Sequence, residues 1–405
     1  MKQIPFLTLM IALIANTAFS QTYQYEIDLQ NVVKDRVKVT LVPPPVGNQS
    51  EVTFVMPAVI PGSYSRKNYG RFINKFTAFD SKGNELKVDD KNDVDFIIYE
   101  AADLAKIEYW VDDTWDDKNK KMFVFQPGGS NIEAGKNFVL NHHAFFGYFN
   151  GMQKLPFEIK VKKPKEMYGS TYLKKEVLDE EHDILKAPHY NFLVDNPAMY
   201  CVPDTLSFMV GQTKVVISVY SSTGEVTAEE MAPYVKPLGT ALENFFGELP
   251  VDEYHFLMNF AGPDDKVRSG KRGLGGFGAL EHSHCSFYYM WEMDDPKLMG
   301  DNMQDICAHE FLHILTPLNI HSEEIENFDF RHPKMSQHLW MYEGITEYFS
   351  WLVMMQDSIV TVEDFQEEMA RKITRSAAHG WFSYTEMSKN VLDKKNQDLY
   401  MDVYS

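Results

Sequence analysis

Hydrophobic and polar positions alternate with period two over much of the first part of the chain. Tyr23, Tyr25, Ile27 and Leu29 are separated by Gln24, Glu26 and Asp28, and the same beat runs through 37–42 and 157–161. Alternation of this kind sends one face of a strand into a core and the other into water. Shorter runs of β-branched and aromatic residues at 52–55, 94–99 and 107–111 add to it. Turn-forming Asn48, Gly83-Asn84 and Gly128-Gly129 lie between them. The pattern predicts an N-terminal all-β, sandwich-like domain over residues 21–165, with Tyr109, Trp110 and Trp115 as packing residues. The lysine-rich stretch 160–165 reads as a strand end passing into a linker.

Beyond residue 165 the period changes. Runs at 215–220 and 254–260 still read as strands, but 228–246 reads as a helix in spite of Pro233 and Pro237. From Asp301 onward helical spacing dominates, at 303–315, 337–355 and 362–375. Thr361 is a good N-cap for the last, with Glu363 and Asp364 in its first turn. A mixed α/β, mainly helical second domain over 166–405 is expected.

Charge and the first residues narrow the setting. Lys2, the apolar run 6–15 and the small residues of Ala18-Phe19-Ser20 have the three-part layout of an export signal. Residues 1–20 are therefore expected to be a signal peptide cleaved after Ser20, leaving a secreted or periplasmic protein. The apolar run is too short to span a bilayer. A formal net charge of −19 repels nucleic acid and anionic membrane surfaces, so neither is an expected partner. Three cysteines, Cys201, Cys285 and Cys307, exclude a disulfide framework and leave their pairing open.

The chemistry is concentrated in His309-Glu310-Phe311-Leu312-His313, an H-E-x-x-H segment inside a helical run. At ~100° per residue, the two histidines stand one turn apart on one face and reach a single metal. Glu343, in the second helical run Leu339-Trp340-Met341-Tyr342-Glu343-Gly344, supplies a third ligand. Two imidazoles and a carboxylate favour zinc and leave a fourth position for water. Glu310 is then placed to take that water's proton as general base. Glu347, one turn beyond Glu343, stands on the same face and either supports a ligating imidazole or is an ordinary helix-face carboxylate. Gly344 costs about 1 kcal/mol against alanine inside a helix, for which close packing beside the metal is a motive. Cys307 points away from the metal face, His142 and His143 read as surface or packing residues of the β-domain, and His282 and His284 are expected near the cleft without a second metal.

The H-E-x-x-H helix followed by Trp-x-x-Glu-Gly resembles the gluzincin aminopeptidases. Pro57-Ala58-Val59-Ile60-Pro61-Gly62-Ser63-Tyr64, with Arg66, Tyr69 and Arg71, resembles the β-domain signature of the glycyl aminopeptidase family, whose members often carry a PDZ domain. Tyr190-Asn191-Phe192-Leu193-Val194-Asp195-Asn196-Pro197 is similar to that family's entry to the catalytic domain, and Gly278-Ala279-Leu280-Glu281-His282 to its substrate-amine motif. The resemblance implies a gluzincin, thermolysin-like catalytic fold. It gives Glu281 the substrate's free α-amine, with Gly278 and Ala279 beside it, and implies a preference for small N-terminal residues such as Gly or Ala. Gly275, Gly276 and Gly278 would let backbone and substrate approach closely. The family stabilises its oxyanion with a tyrosine in a Tyr-x-Lys-Gly motif, for which Tyr404 is the candidate. Its C-terminal helical region and PDZ-like domain have no counterpart here, so the chain reads as a truncated member. The reading is an exported zinc aminopeptidase acting on peptides with a free N-terminus. The alternatives are an endopeptidase of related fold and a non-catalytic, zinc-retaining peptide-binding protein.

Overall fold

In a computed structural model of the chain, the described residues are 21–404 without 120, 266, 269–275 and 380–381, and the side chains of 401–404 are not included. The expected signal peptide lies outside the described residues. The period-two segments form strands Tyr23–Asp28, Arg36–Val42 and Phe157–Lys162, whose alternate residues are buried. They lie in an eight-stranded sheet in which Tyr23–Asp28 pairs antiparallel with Arg36–Val42 and parallel with Phe157–Lys162. A four-stranded sheet containing Glu51–Val55 and Asp95–Tyr99 shares its core, which is rich in aromatic rings such as Tyr25, Phe54, Tyr109, Phe146 and Tyr190. Tyr23 and Phe157, directly opposite one another, stack at 4.3 Å between centroids.

This β-rich part runs past the boundary expected at residue 165. Lys174–Asp179 and His182–Ala187 extend the eight-stranded sheet beyond the lysine-rich strand, and Ala198–Cys201 pairs with Asn137–Leu140 in a third sheet. The architecture changes between Cys201 and Thr205. There a five-stranded sheet begins, in the order Thr205–Val210, Thr213–Ser221, Glu253–Ala261, Cys285–Trp291, Gly278–Glu281. Its three central strands are parallel, and the edge strand Gly278–Glu281 runs antiparallel to its neighbour.

Helices cover this sheet and continue beyond it. Helix α1, Ala228–Phe246, forms across both prolines, starts with a Thr227/Glu230 capping box and buries Met231, Val235, Leu238 and Leu242. Helix α2, Pro296–Leu312, begins earlier than its hydrophobic pattern suggests. Asp295 caps it by accepting from the amides of Lys297 and Leu298, and Pro296 suits the first helical position. Helix α3, Leu339–Gln356, packs against α2. Helix α4, Val362–Ala377, has no buried residue, and helix α5, Lys394–Tyr404, follows it. None of the described helices is long and apolar enough to cross a membrane. The three cysteines are free and buried, and Cys307 sits in the apolar core beneath α2.

Candidate metal centre and substrate cleft

The last turn of α2 presents His309 and Glu310, and His313 caps its C-terminus. Residues 314–319 leave regular α geometry, and the carbonyl of Thr316 turns back to accept from Nδ1 of His313 at 3.0 Å. On the other ring, Nδ1 of His309 lies 2.7 Å from Oε2 of Glu347. With both Nδ1 atoms so engaged, each imidazole presents its Nε2 inward, and these two atoms are 3.1 Å apart. Glu343, on α3, brings Oε2 to 3.5 Å from each of them. The donor atoms of His309, His313 and Glu343 all lie within 4.8 Å of one another, and all three residues are buried.

Three buried donors converging on one point form a pocket for a cation. Partners behind the ligands fix the ring tautomers, as metal-binding histidines require. Lys372 of α4 holds the other oxygen of Glu347 at 2.6 Å. Burial by itself would raise the Glu347 carboxyl, but its bonds to His309 and Lys372 outweigh that and hold it down to about 2. Glu347, left open between support and surface by the sequence, thus bonds the Nδ1 side of His309.

Glu281 enters from the edge strand. One oxygen each of Glu281 and Glu310 and a nitrogen of His313 form a second cluster within 4.8 Å. Burial, with the Glu281 and Glu343 charges, pushes the Glu310 carboxyl up to about 8 although His309 opposes it. Burial also raises Glu281, and Glu343 adds to this. Among the described residues neither Glu281 nor Glu310 has a lysine or arginine within ion-pair distance.

The glycines of this segment serve a different neighbour from the one expected. A Cβ on Gly276 would lie 2.5 Å from Oε1 of Gln126, and one on Gly278 2.5 Å from the Phe125 ring. Both let the β-rich part press on the edge strand. Gly275 lies outside the described residues. Gly344 is exposed, and a methyl there would meet nothing within 4 Å, so packing beside the metal does not explain it.

Tyr404 ends α5, and its side chain is outside the described residues. Two tyrosines with no assigned role in the sequence reading reach Glu343. The Tyr64 hydroxyl donates to Oε1 at 3.0 Å, and Tyr400 also hydrogen-bonds this carboxylate. An apolar cavity of about 300 Å³ beside Glu343 and Glu347 is lined by Trp340, Tyr348, Ile373 and Tyr400 among others. His282 is buried near Asp195, His284 stacks on Tyr172, and His142 and His143 are enclosed in the β-rich part.

The M61 N-terminal domain model matches residues 24–202, and the M61 glycyl aminopeptidase model matches residues 302–404. The chain belongs to the M61 glycyl aminopeptidase family. The two imidazoles and one carboxylate of the buried cluster fit a zinc ion. Among solved structures, an aminopeptidase N family protein from Idiomarina loihiensis is 18% identical with a TM-score of 0.76, covering 93% of this M61 chain. The M61 chain spans 62% of the length of that protein. An M1 zinc metallopeptidase from Deinococcus radiodurans, a variant bound to a Tyr-Ser-Ala substrate, is 12% identical with a TM-score of 0.50. It covers 93% of this chain, which covers 79% of it. A search of curated proteins gave no match.

Proposed function

We propose that this M61 protein is an exported zinc aminopeptidase that removes small N-terminal residues such as Gly or Ala from peptides. The observation that carries the reading is the second acidic cluster. A half-buried carboxylate, Glu281, stands beside Glu310 and His313 at the edge of the metal cluster. A substrate ammonium would pair with it, and a fixed ammonium sets the register of cleavage from the N-terminus. Glu281 also ends the outermost strand of its sheet, where the backbone of Gly278 and Ala279 lies beside the cleft.

His309, His313 and Glu343 would hold the zinc, which would supply Lewis acidity to a scissile carbonyl and to water. Glu310 removes the proton of the attacking water at its carboxylate and returns it to the leaving amine nitrogen. Tyr404 is assigned the developing negative oxygen by family resemblance, and the layout of residues 1–20 supports export. The acidic surface argues against nucleic acid as a partner.

The test compares hydrolysis of Gly- and Ala-p-nitroanilide with that of an N-acylated control, with and without a chelator. Chelator-sensitive cleavage of the free-amine substrates alone is expected. In Glu281→Ala, kcat/KM on them should fall by roughly 100-fold, the value of one desolvated charge-assisted contact. Equal losses on blocked peptides would remove Glu281 from amine recognition and favour the endopeptidase reading. Stoichiometric zinc with no cleavage of any peptide would leave a peptide-binding protein.

A further inference from the structure

The third metal ligand is served by a residue from the other half of the molecule. We propose that Tyr64, delivered by the β-rich part, is a positioning residue that holds one oxygen of Glu343 so that the other faces the two imidazoles. The inference rests on His309, His313 and Glu343 being the zinc ligands.

A carboxylate has two equivalent oxygens and turns easily about its last bond, so a buried glutamate ligand needs something to fix its plane. Here Oε1 accepts from Tyr64 at 3.0 Å, while Oε2 lies 3.5 Å from Nε2 of both His309 and His313. The two oxygens are thereby given different tasks, one toward the hydroxyl and one toward the metal.

Tyr64 is itself held against local preference. Its φ is 44°, in the left-handed region that bulky residues rarely enter. The side-chain amide of Gln397 donates to its carbonyl at 3.0 Å, and its ring meets the edge of Tyr400 at 5.3 Å between centroids. Met335, Leu339 and Val391 enclose the same ring. Two residues earlier, Gly62 has φ +76°, and a Cβ there would lie 2.5 Å from Leu280 Cδ1 and 3.1 and 3.2 Å from the two oxygens of Glu281. One short loop thus touches both the ligand carboxylate and the amine-site carboxylate. A strained backbone kept at such a junction is a mark of function.

Tyr64→Phe removes the hydroxyl and keeps the ring. Zinc affinity is measured by chelator competition, and the visible spectrum is recorded on the cobalt-loaded protein. The variant should bind zinc about 10-fold more weakly, the lower end of the effect of losing a ligand's supporting bond. Its cobalt bands should shift, and the melting temperature of the metal-free protein should stay that of the parent. Parent-like zinc affinity and an unshifted cobalt spectrum overturn the proposal, whatever happens to the melting temperature. Weakening in Tyr400→Phe but not in Tyr64→Phe overturns it too, since the role then passes to Tyr400. Should Tyr64→Phe fail to fold, Gln397→Ala loosens the Tyr64 backbone while leaving the hydroxyl. A smaller weakening is expected there, and none overturns the proposal. Metal titration needs no turnover, so these outcomes stand apart from failure of the aminopeptidase reading. A parent protein that takes up no zinc would sink the metal site itself.

Discussion

Helices α2 and α3 and the loop at 60–64 converge on the same carboxylate by opposite routes. The helices bring His309, Glu310, His313, Glu343 and Glu347 together through spacing of one turn and a single helix–helix contact. Their geometry is cheap, because regular backbone already puts residues four apart on one face. The loop reaches Glu343 from far along the chain, through a left-handed tyrosine and a glycine pressed against Leu280. Its geometry is costly, because strain of this kind persists only where surrounding contacts over-determine it. The difference separates groups placed by regular elements, Glu347 among them, from the one aiming group, Tyr64, supplied across the boundary between the two parts of the fold.

The comparison breaks most sharply at Glu310. Glu310→Gln keeps the shape of the side chain and removes its ability to take a proton. Hydrolysis should fall by about 100- to 10,000-fold, the usual value of a positioned general base. Zinc content should stay stoichiometric, because Glu310 stands outside the ligand set. Turnover retained in this variant, read beside its zinc content, would end the assignment. Tyr64→Phe should show the converse, a weaker hold on zinc with the proton-transfer group intact.

How far each region was legible follows from the same distinction. Period-two runs located the strands at 23–28, 36–42 and 157–162, since alternation is a local property, and the 228–246 helix is bounded by a capping box visible in Thr227 and Glu230. The clustering of His309, His313 and Glu343 was legible because H-E-x-x-H and a later Glu-Gly helix are short patterns. The start of α2 at Asp295-Pro296 was not read, because cap chemistry rather than hydrophobic spacing sets it. Lys174–Asp179 was missed because this outer strand is mostly exposed, and His182–Ala187 because one of its alternate buried positions is the polar Asp183, which breaks the hydrophobic beat. No local signal tells that Tyr64 meets Glu343 or that Gly278 faces Phe125, for both contacts depend on how two parts pack. The resemblance did single out the Pro-Gly-Ser-Tyr segment, yet only the fold gives it a task.

The β-rich side makes its own prediction, smaller than the loss of a catalytic base. His142 and His143 are enclosed there, and burial lowers the first to about 4 and the second to about 3. Both are neutral in the folded chain at neutral pH, while the unfolded chain protonates near pH 6.5. The unfolded state therefore binds more protons below that pH. This contribution to stability is full above about pH 6.5 and is lost progressively toward pH 4 and then pH 3. Between pH 6.5 and 5 the loss should be on the order of 2–4 kcal/mol for the pair, at about 1.4 kcal/mol per histidine and pH unit. Urea unfolding of the metal-free protein at several pH values measures it. His142→Asn, whose amide can still donate to the Leu193 carbonyl, should remove about half of the slope. An unchanged slope would place the acid sensitivity elsewhere.

The smallest expected effect sharpens the comparison from the helical side. Gly344 follows the ligand Glu343 inside α3, where glycine is disfavoured, yet an added methyl meets open space and the residue is exposed. Alanine at this position should stabilise the protein by about 0.5–1 kcal/mol, by narrowing the unfolded ensemble. Zinc affinity should not change. Gly62→Ala should do the opposite, because φ +76° and the 2.5 Å approach to Leu280 leave no place for a methyl without moving Glu281. Thermal melts and chelator competition on the two variants measure both quantities. If Gly344→Ala destabilises the protein as Gly62→Ala is expected to, the regular helix is under the same constraint as the loop, and the division between cheap and costly geometry fails at its simplest point.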